Sequence, residues 1–154
     1  MDTEEILGLL PYVDPFLFVE ELHEVNENGA RGSYRFPENA FFYEGHFKGY
    51  PVTPGVILTE CMAQIGVVSL GIFLYKELAL GSCQINLTST DVNFFHPVYP
   101  GERVEVTSEK LFLRFNKLKC KVEMRNVEGK LICRGEISGM LGKNDLEKIN
   151  PGDN

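Results

Sequence analysis

Two periodicities divide the chain. Residues 3–10, Thr-Glu-Glu-Ile-Leu-Gly-Leu-Leu, suit a short opening helix that Pro11 ends. Phe16 to Val25 is apolar and β-favouring, and predicts a first strand. Asn26-Glu27-Asn28-Gly29 is a turn signal. Beyond it Ala30, Gly32, Tyr34 and Phe36 alternate with Arg31, Ser33 and Arg35, the period of a half-buried strand, so the pair predicts a hairpin. Pro37 to Thr53 contains Pro37, Gly45, Gly49 and Pro51 and reads as loop. Its aromatic residues Phe41, Phe42, Tyr43, Phe47 and Tyr50 need a surface to pack against.

A helix then starts abruptly. Thr53 suits the N-cap and Pro54 the first helical position, with the helix running from about Pro54 to about Leu78. It is apolar nearly all round (Val56, Ile57, Leu58, Ile65, Val67, Val68, Leu70, Ile72, Phe73, Leu74), which predicts a place at the centre of the fold. Gly66 and Gly71 allow close backbone approach there. The remainder alternates. Strands are predicted over 84–95, 102–108, 117–125 and 131–141, with turns at Pro97–Gly101 and Asn126–Gly129. Leu118, Cys120, Val122 and Met124 share one face, and Lys117, Lys119, Lys121, Glu123 and Arg125 the other. In the last strand Leu131, Cys133, Ile137 and Leu141 share a parity, opposite Arg134, Glu136 and Ser138. A curved antiparallel β-sheet wrapped around one long central α-helix satisfies this order, an α+β fold. Residues 1–141 make a single domain and 142–154 a polar C-terminal tail.

Length and composition agree with one soluble domain: 154 residues, 44% hydrophobic and 24% charged. The net charge of −7 removes the bulk electrostatic case for nucleic acid or an anionic membrane. The four cysteines, Cys61, Cys83, Cys120 and Cys133, form no CxxC pair and no metal knuckle, so no metal is expected. The acidic start carries no signal peptide, and the longest apolar run, Ile65 to Tyr75, is too short to span a bilayer. A cytoplasmic protein with reduced thiols is expected.

The densest group of unusual residues lies between Tyr43 and Gln64. His46 sits in a Gly-flanked aromatic loop, and Glu60 sits inside the apolar helix with Gln64 four residues on, on the same face. Desolvation raises the pKa of a carboxyl in such a helix, favouring a protonated acid near neutral pH. A histidine with a pKa near the usual ~6.5 is a base at the same pH. The N–H of Gly55, at the positive end of the helix, has no intrahelical acceptor and suits a carbonyl oxygen gaining charge. Singly, each has a structural reading: a loop histidine, a satisfied Glu–Gln pair, a helix start. Together they are the parts of a proton-transfer site.

The segment Gly45-His46-Phe47…Pro51-Val52-Thr53-Pro54-Gly55-Val56…Glu60-Cys61-Met62-Ala63-Gln64 resembles the signature of hotdog-fold 3-hydroxyacyl-[acyl-carrier-protein] dehydratases of the FabZ type. The resemblance covers roughly residues 9–141, with weaker matches at Leu10-Pro11, Pro15-Phe16-Leu17 and Phe94…Pro97-Val98…Pro100-Gly101. It implies a lyase that converts (3R)-3-hydroxyacyl thioesters to trans-2-enoyl thioesters, in fatty-acid or related lipid, polyketide or polyene biosynthesis. His46 would take the α-proton and Glu60 protonate the departing hydroxyl. Gly55, with Val56, would hold the thioester oxygen, Val52 C=O orient His46, and Gln64 orient Glu60. Phe47, Cys61 and Phe94 are candidates to line the acyl tunnel. The resemblance implies no metal or redox cofactor, since the substrate rides on the phosphopantetheine arm of acyl carrier protein. It implies a homodimer with sites at the subunit interface, His and acid coming from different chains, and hexamers, as trimers of dimers, as a further assembly. Where the chain departs from the pattern, Tyr12-Val13, Cys61 and Asn93 stand in place of the usual His-Arg, Ala and basic residue. The alternatives are a hotdog acyl thioesterase and a non-catalytic acyl-binding subunit. His23 reads as a strand surface residue, His96 as a junction residue, and Lys117, Lys119 and Lys121 as a solvated face or a landing place for an acidic carrier.

Overall fold

The computed structural model describes residues 1–76 and 83–143. Helix α1 (Thr3–Leu9) is capped by the Asp2 carboxylate, which accepts from the Glu5 N–H at 2.8 Å. Strands β1 (Glu21–Asn26) and β2 (Gly29–Arg35) form the expected hairpin. The central helix comprises α2 (Gly55–Ala63), a π-helical segment (Gln64–Val68) and α3 (Ser69–Leu74). Strands β3 (Cys83–Phe94), β4 (Arg103–Arg114), β5 (Lys117–Asn126) and β6 (Leu131–Lys143) follow. All six strands join one antiparallel sheet in the order β1-β2-β4-β5-β6-β3. The sheet curls around the central helix, so the hotdog architecture is present.

The helix is buried because no face of it is polar. Cys61 to Ile72 are buried without interruption. The 20-residue stretch Gly55–Leu74 is apolar enough to cross a membrane, with a mean hydropathy of 1.9, but the sheet covers most of it. Gly66 and Gly71 stand where Val122 and Ser108, and Ile85, press against the helix backbone, as expected from their size. The π-helical segment frees carbonyls from the usual ladder, and side chains take them. Ser69 Oγ donates to Gln64 O at 2.9 Å, and Ser108 Oγ to Gly66 O at 2.8 Å.

Several sequence expectations need correction. The first strand begins at Glu21, not Phe16, because backbone groups of Phe16 and Phe18 are bound by side chains of the central helix rather than by a neighbouring strand. Strand β4 runs past Ser108 to Arg114, and the turn that ends it, Phe115-Asn116, has φ of 50° and 64° without any glycine. The β5–β6 ladder bulges beyond Met124, so Ile132 is buried alongside Cys133 and the simple parity of the last strand fails at its start. Strand β6 continues to Lys143, through the first two residues of the expected tail, whose remainder lies outside the described residues. The helix ends at Leu74, short of the expected Leu78, which also lies outside them. The loop aromatics find their surface in an edge-to-face ladder, Phe18–Tyr34–Phe36–Phe42–Tyr43, with ring centroids 5.8, 4.9, 6.5 and 4.6 Å apart.

Ser108 also accepts from the Ala30 N–H at 3.1 Å, so one buried hydroxyl ties β2, β4 and the helix together. Ser108→Ala strands the Gly66 carbonyl and is expected to cost about 1–3 kcal/mol of unfolding free energy. A lower urea midpoint with an unchanged slope in a denaturation curve checks it.

Candidate active site

The helix opens at Gly55, with Pro54 as its cap in extended geometry and no side chain capping it. This corrects the expected placement of Thr53 as cap and Pro54 inside. Pro54 already supplies the first helical carbonyl, accepting from Ile57 and Leu58 at 2.9 and 3.1 Å. The Thr53 hydroxyl is shared instead with Tyr43 OH at 2.7 Å. The N–H groups of Gly55 and Val56 are thus left without an acceptor among the described residues.

Glu60 is half-buried in the second turn. Gln64, fully buried, donates from Nε2 to Glu60 Oε2 at 2.9 Å and to Phe16 O at 3.0 Å, while its Oε1 accepts from the Phe18 N–H at 2.8 Å. All three groups of the amide are used, and the carboxylate is fixed to the same clamp that holds the N-terminal segment. Tyr12, half-buried in that segment, is pushed up to about 12 by burial and then by the charge of Glu60, so its phenol belongs to the surroundings of the acid.

An open groove of about 520 Å³ lies over this end of the helix. Gly55, Val56, Thr59 and Glu60 line it from the helix, and Leu87, Thr90, Val92 and Phe94 from β3. Sequence reading supplied Gly55, Val56, Glu60 and Phe94, and missed the others. A bulge between Leu87 and Ser89 brings Leu87 onto the face of Thr90, Val92 and Phe94, a switch of parity that no sequence pattern marks.

His46 is half-buried, its Nδ1 2.8 Å from Val52 O. Phe47 is exposed and stacks on the imidazole, with ring centroids 4.0 Å apart. Neither residue lines the groove of its own chain. Cys61 does not line the groove: it is fully buried, and its thiol donates to Phe18 O at 3.4 Å. Burial, then Cys133 and Glu60, push that thiol well up, so it stays protonated. His23 faces outward at the β1 bulge, 3.1 Å from Ser33 Oγ. Lys119 pairs with Glu136 at 3.1 Å on the outer sheet face. Among the described residues no three His, Cys, Asp or Glu side chains gather as metal ligands.

Residues 10–137 match the profile of the FabA-like domain. Among similar curated proteins is the 3-hydroxyacyl-[acyl-carrier-protein] dehydratase FabZ of Caldicellulosiruptor saccharolyticus, 36% identical over 88% of this chain and 95% of that protein. FabZ of Bacillus subtilis is 32% identical over 93% of this chain and 99% of its own length. The chain belongs to the FabA-like family. Solved structures share the architecture at low identity. The dehydratase heterocomplex ApeI:P from Xenorhabdus doucetiae superposes with a TM-score of 0.77 at 16% identity, covering 94% of this chain and 97% of that one. A thioesterase from Haemophilus influenzae reaches 0.67, also at 16% identity, covering 94% and 93%. Both carry the same fold on proteins named for different reactions.

Within this FabA-like chain Glu60 and His46 have different surroundings. Burial pushes the Glu60 carboxyl above the ordinary carboxylate value, and the Gln64 amide pulls it part of the way back. With Oε2 occupied by Gln64, Oε1 is the oxygen left to carry a proton. At His46 the carbonyl of Val52 can only accept, so a neutral imidazole keeps its proton on Nδ1 and its lone pair on Nε2. Burial thus biases Glu60 towards its protonated form, and the Val52 carbonyl favours the His46 tautomer with its lone pair on Nε2.

A folded-state pKa above the unfolded value stabilises the fold only while the group is protonated, and the contribution is lost as pH rises through the folded value. Glu60→Gln removes that penalty. The melting temperature of the variant relative to the unsubstituted protein is therefore expected to rise as pH climbs from about 4.5, the ordinary carboxyl value. Thermal scans from pH 4 to pH 8 read it, and a constant difference would contradict a buried, titrating Glu60.

Proposed function

We propose that this chain is a 3-hydroxyacyl-[acyl-carrier-protein] dehydratase of fatty-acid biosynthesis, a hydro-lyase with His46 as base and Glu60 as acid. One observation carries the reading: Glu60, fixed by Gln64 and biased towards its protonated form, faces a groove at whose edge the Gly55 and Val56 amides stand uncapped. The thioester oxygen accepts from those amides, where the helix N-terminus stabilises the charge it gains. His46 Nε2 takes a proton from C2, the C–H pair becomes the C2–C3 double bond, and the C3–O bond breaks. The hydroxyl leaves as water with the proton of Glu60 Oε1. His46 ends protonated and Glu60 ionised, and proton exchange with solvent restores both. Every proton is moved by this chain's side chains, and the substrate brings the phosphopantetheine arm of acyl carrier protein.

The site is incomplete in one copy, since His46 does not line the groove that Glu60 lines. Strand β3 ends the sheet order, its outer edge unpaired among the described residues, and Val56, Leu87 and Phe94 are 77%, 47% and 49% exposed beside it. A second copy laid along β3 covers those residues and brings its His46 to the groove, so the functional unit is a homodimer with two shared sites. Trimers of such dimers are a further assembly for sedimentation to read. A protein whose long apolar helix is its own core fits the cytoplasm, where carrier-linked synthesis takes place.

His46→Ala is expected to lower turnover of a short 3-hydroxyacyl thioester by about 10²–10⁴. The readout is the absorbance of the enoyl product, and release of free thiol in its place would identify a thioesterase instead. Shared sites predict complementation. Mixing inactive His46→Ala and Glu60→Gln protomers, then allowing exchange, is expected to restore about one quarter of the original activity. No recovery after demonstrated exchange would place both groups in one chain.

A further inference from the structure

The base is carried by a largely exposed loop. Glu44 to Tyr50 are exposed except for half-buried His46. Within the loop, Phe47 and Tyr50 exchange backbone hydrogen bonds at 2.7 and 2.9 Å, and the Val52 N–H donates to His46 O at 2.9 Å. These bonds shape the loop, and at its far end Tyr50 meets Tyr99, hydroxyl to hydroxyl at 3.1 Å, a contact between two exposed side chains rather than with the core. The imidazole is oriented by Val52 O, so its placement is only as good as that of Val52.

The residues on either side of this stretch are different. Tyr43 is 6% exposed and ends the aromatic ladder that reaches Phe36 and Phe18. Thr53 is 4% exposed, and its N–H donates to Val98 O at 2.8 Å. Their hydroxyls meet at 2.7 Å, ten residues apart in sequence, and close the loop at its base. Burial raises the Tyr43 phenol above its ordinary value, so the contact stays a neutral hydroxyl pair through the working pH range. The same bond has a second effect. A threonine hydroxyl one residue before the cap can accept from nearby backbone amides. Here it is committed to Tyr43, and those of Gly55 and Val56 remain uncapped.

We propose that the buried Tyr43–Thr53 hydroxyl pair is a positioning device for the reaction, locking the base of the His46 loop while keeping the Thr53 hydroxyl off the helix amides that receive the thioester oxygen. This rests on the dehydratase reading given above. Neither residue touches substrate; both act through Val52, His46 and the helix start. Removing the Tyr43 hydroxyl loosens Val52 and frees Thr53 to rotate towards Gly55 and Val56, and small misplacements at a reacting centre carry large rate effects.

Tyr43→Phe, Thr53→Val and Thr53→Ser in the full chain test the pair. Tyr43→Phe and Thr53→Val are each expected to lower kcat by about 10- to 100-fold, with KM within about 2-fold. Thr53→Ser keeps the hydroxyl and is expected to stay within about 3-fold of the unsubstituted enzyme. The double variant Tyr43→Phe/Thr53→Val is expected to be no slower than the worse single one, because both remove one bond. Nitrogen-15 spectra of the His46 imidazole provide a readout independent of turnover. The neutral ring is expected to be locked with Nδ1 protonated in the unsubstituted protein, and to mix tautomers in Tyr43→Phe. An unchanged kcat, or a lowered melting temperature with unchanged kcat and His46 spectrum, overturns the proposal. If the unsubstituted chain does not dehydrate, the dehydratase reading fails by itself, while the His46 spectra still decide whether the pair positions the ring.

Discussion

A buried primary amide must find partners for one acceptor and two donors, and at Gln64 the way that demand is met organises the site. Its oxygen takes the Phe18 N–H, and its two N–H groups go to Phe16 O and Glu60 Oε2. Leaving any of these unmade inside the sheet would cost about 1–3 kcal/mol, so the three elements that meet there are held to one arrangement. The N-terminal segment is pulled onto the helix rather than into the sheet, and β1 starts late in consequence. The acid is fixed at one oxygen, leaving the other to the groove. The π-helical segment that begins at Gln64 is sustained by Ser69 and Ser108, which accommodate the carbonyls it frees.

The other half of the site is built on bonds that are withheld. An uncapped helix start would ordinarily be a weakness, because its first amides lose water without gaining a partner. Here Pro54 takes the cap position and Tyr43 takes the Thr53 hydroxyl, and the amides remain available. The outer edge of β3 is likewise unpaired among the described residues, next to exposed Leu87 and Phe94. In one copy these are two unfinished surfaces at the same end of the molecule. In the dehydratase reading proposed above, a substrate oxygen completes the first and a second copy of the chain the second; within one protomer the groove that Glu60 lines is not lined by His46.

Much of this was legible in the residues. The all-round apolar helix could only be central, the alternation of residues 117–125 could only be a strand with one wet face, and the Glu60–Gln64 spacing put both on one helical face. Three features escaped for physical reasons. The β4–β5 turn uses Phe115-Asn116 where a glycine would have announced it. The β3 bulge moves Leu87 into the groove by shifting parity in mid-strand. Cys61, adjacent to Glu60 in sequence, points about 100° away around the helix and so meets Phe18 instead of the groove.

By itself the sequence determined the order of elements, the identity of the core helix and the residue types available for acid–base chemistry, because these follow from local periodicity and from what each side chain can donate or accept. Tertiary structure alone decided which partner each polar group takes. Thr53 bonds Tyr43 and not the helix, Gln64 bonds the N-terminal segment as well as Glu60, and His46 bonds Val52 O without lining the groove of its own chain. The reason is that hydrogen-bond partners far apart in the chain compete on equal terms with local ones once burial removes water, and only the packed arrangement settles that competition.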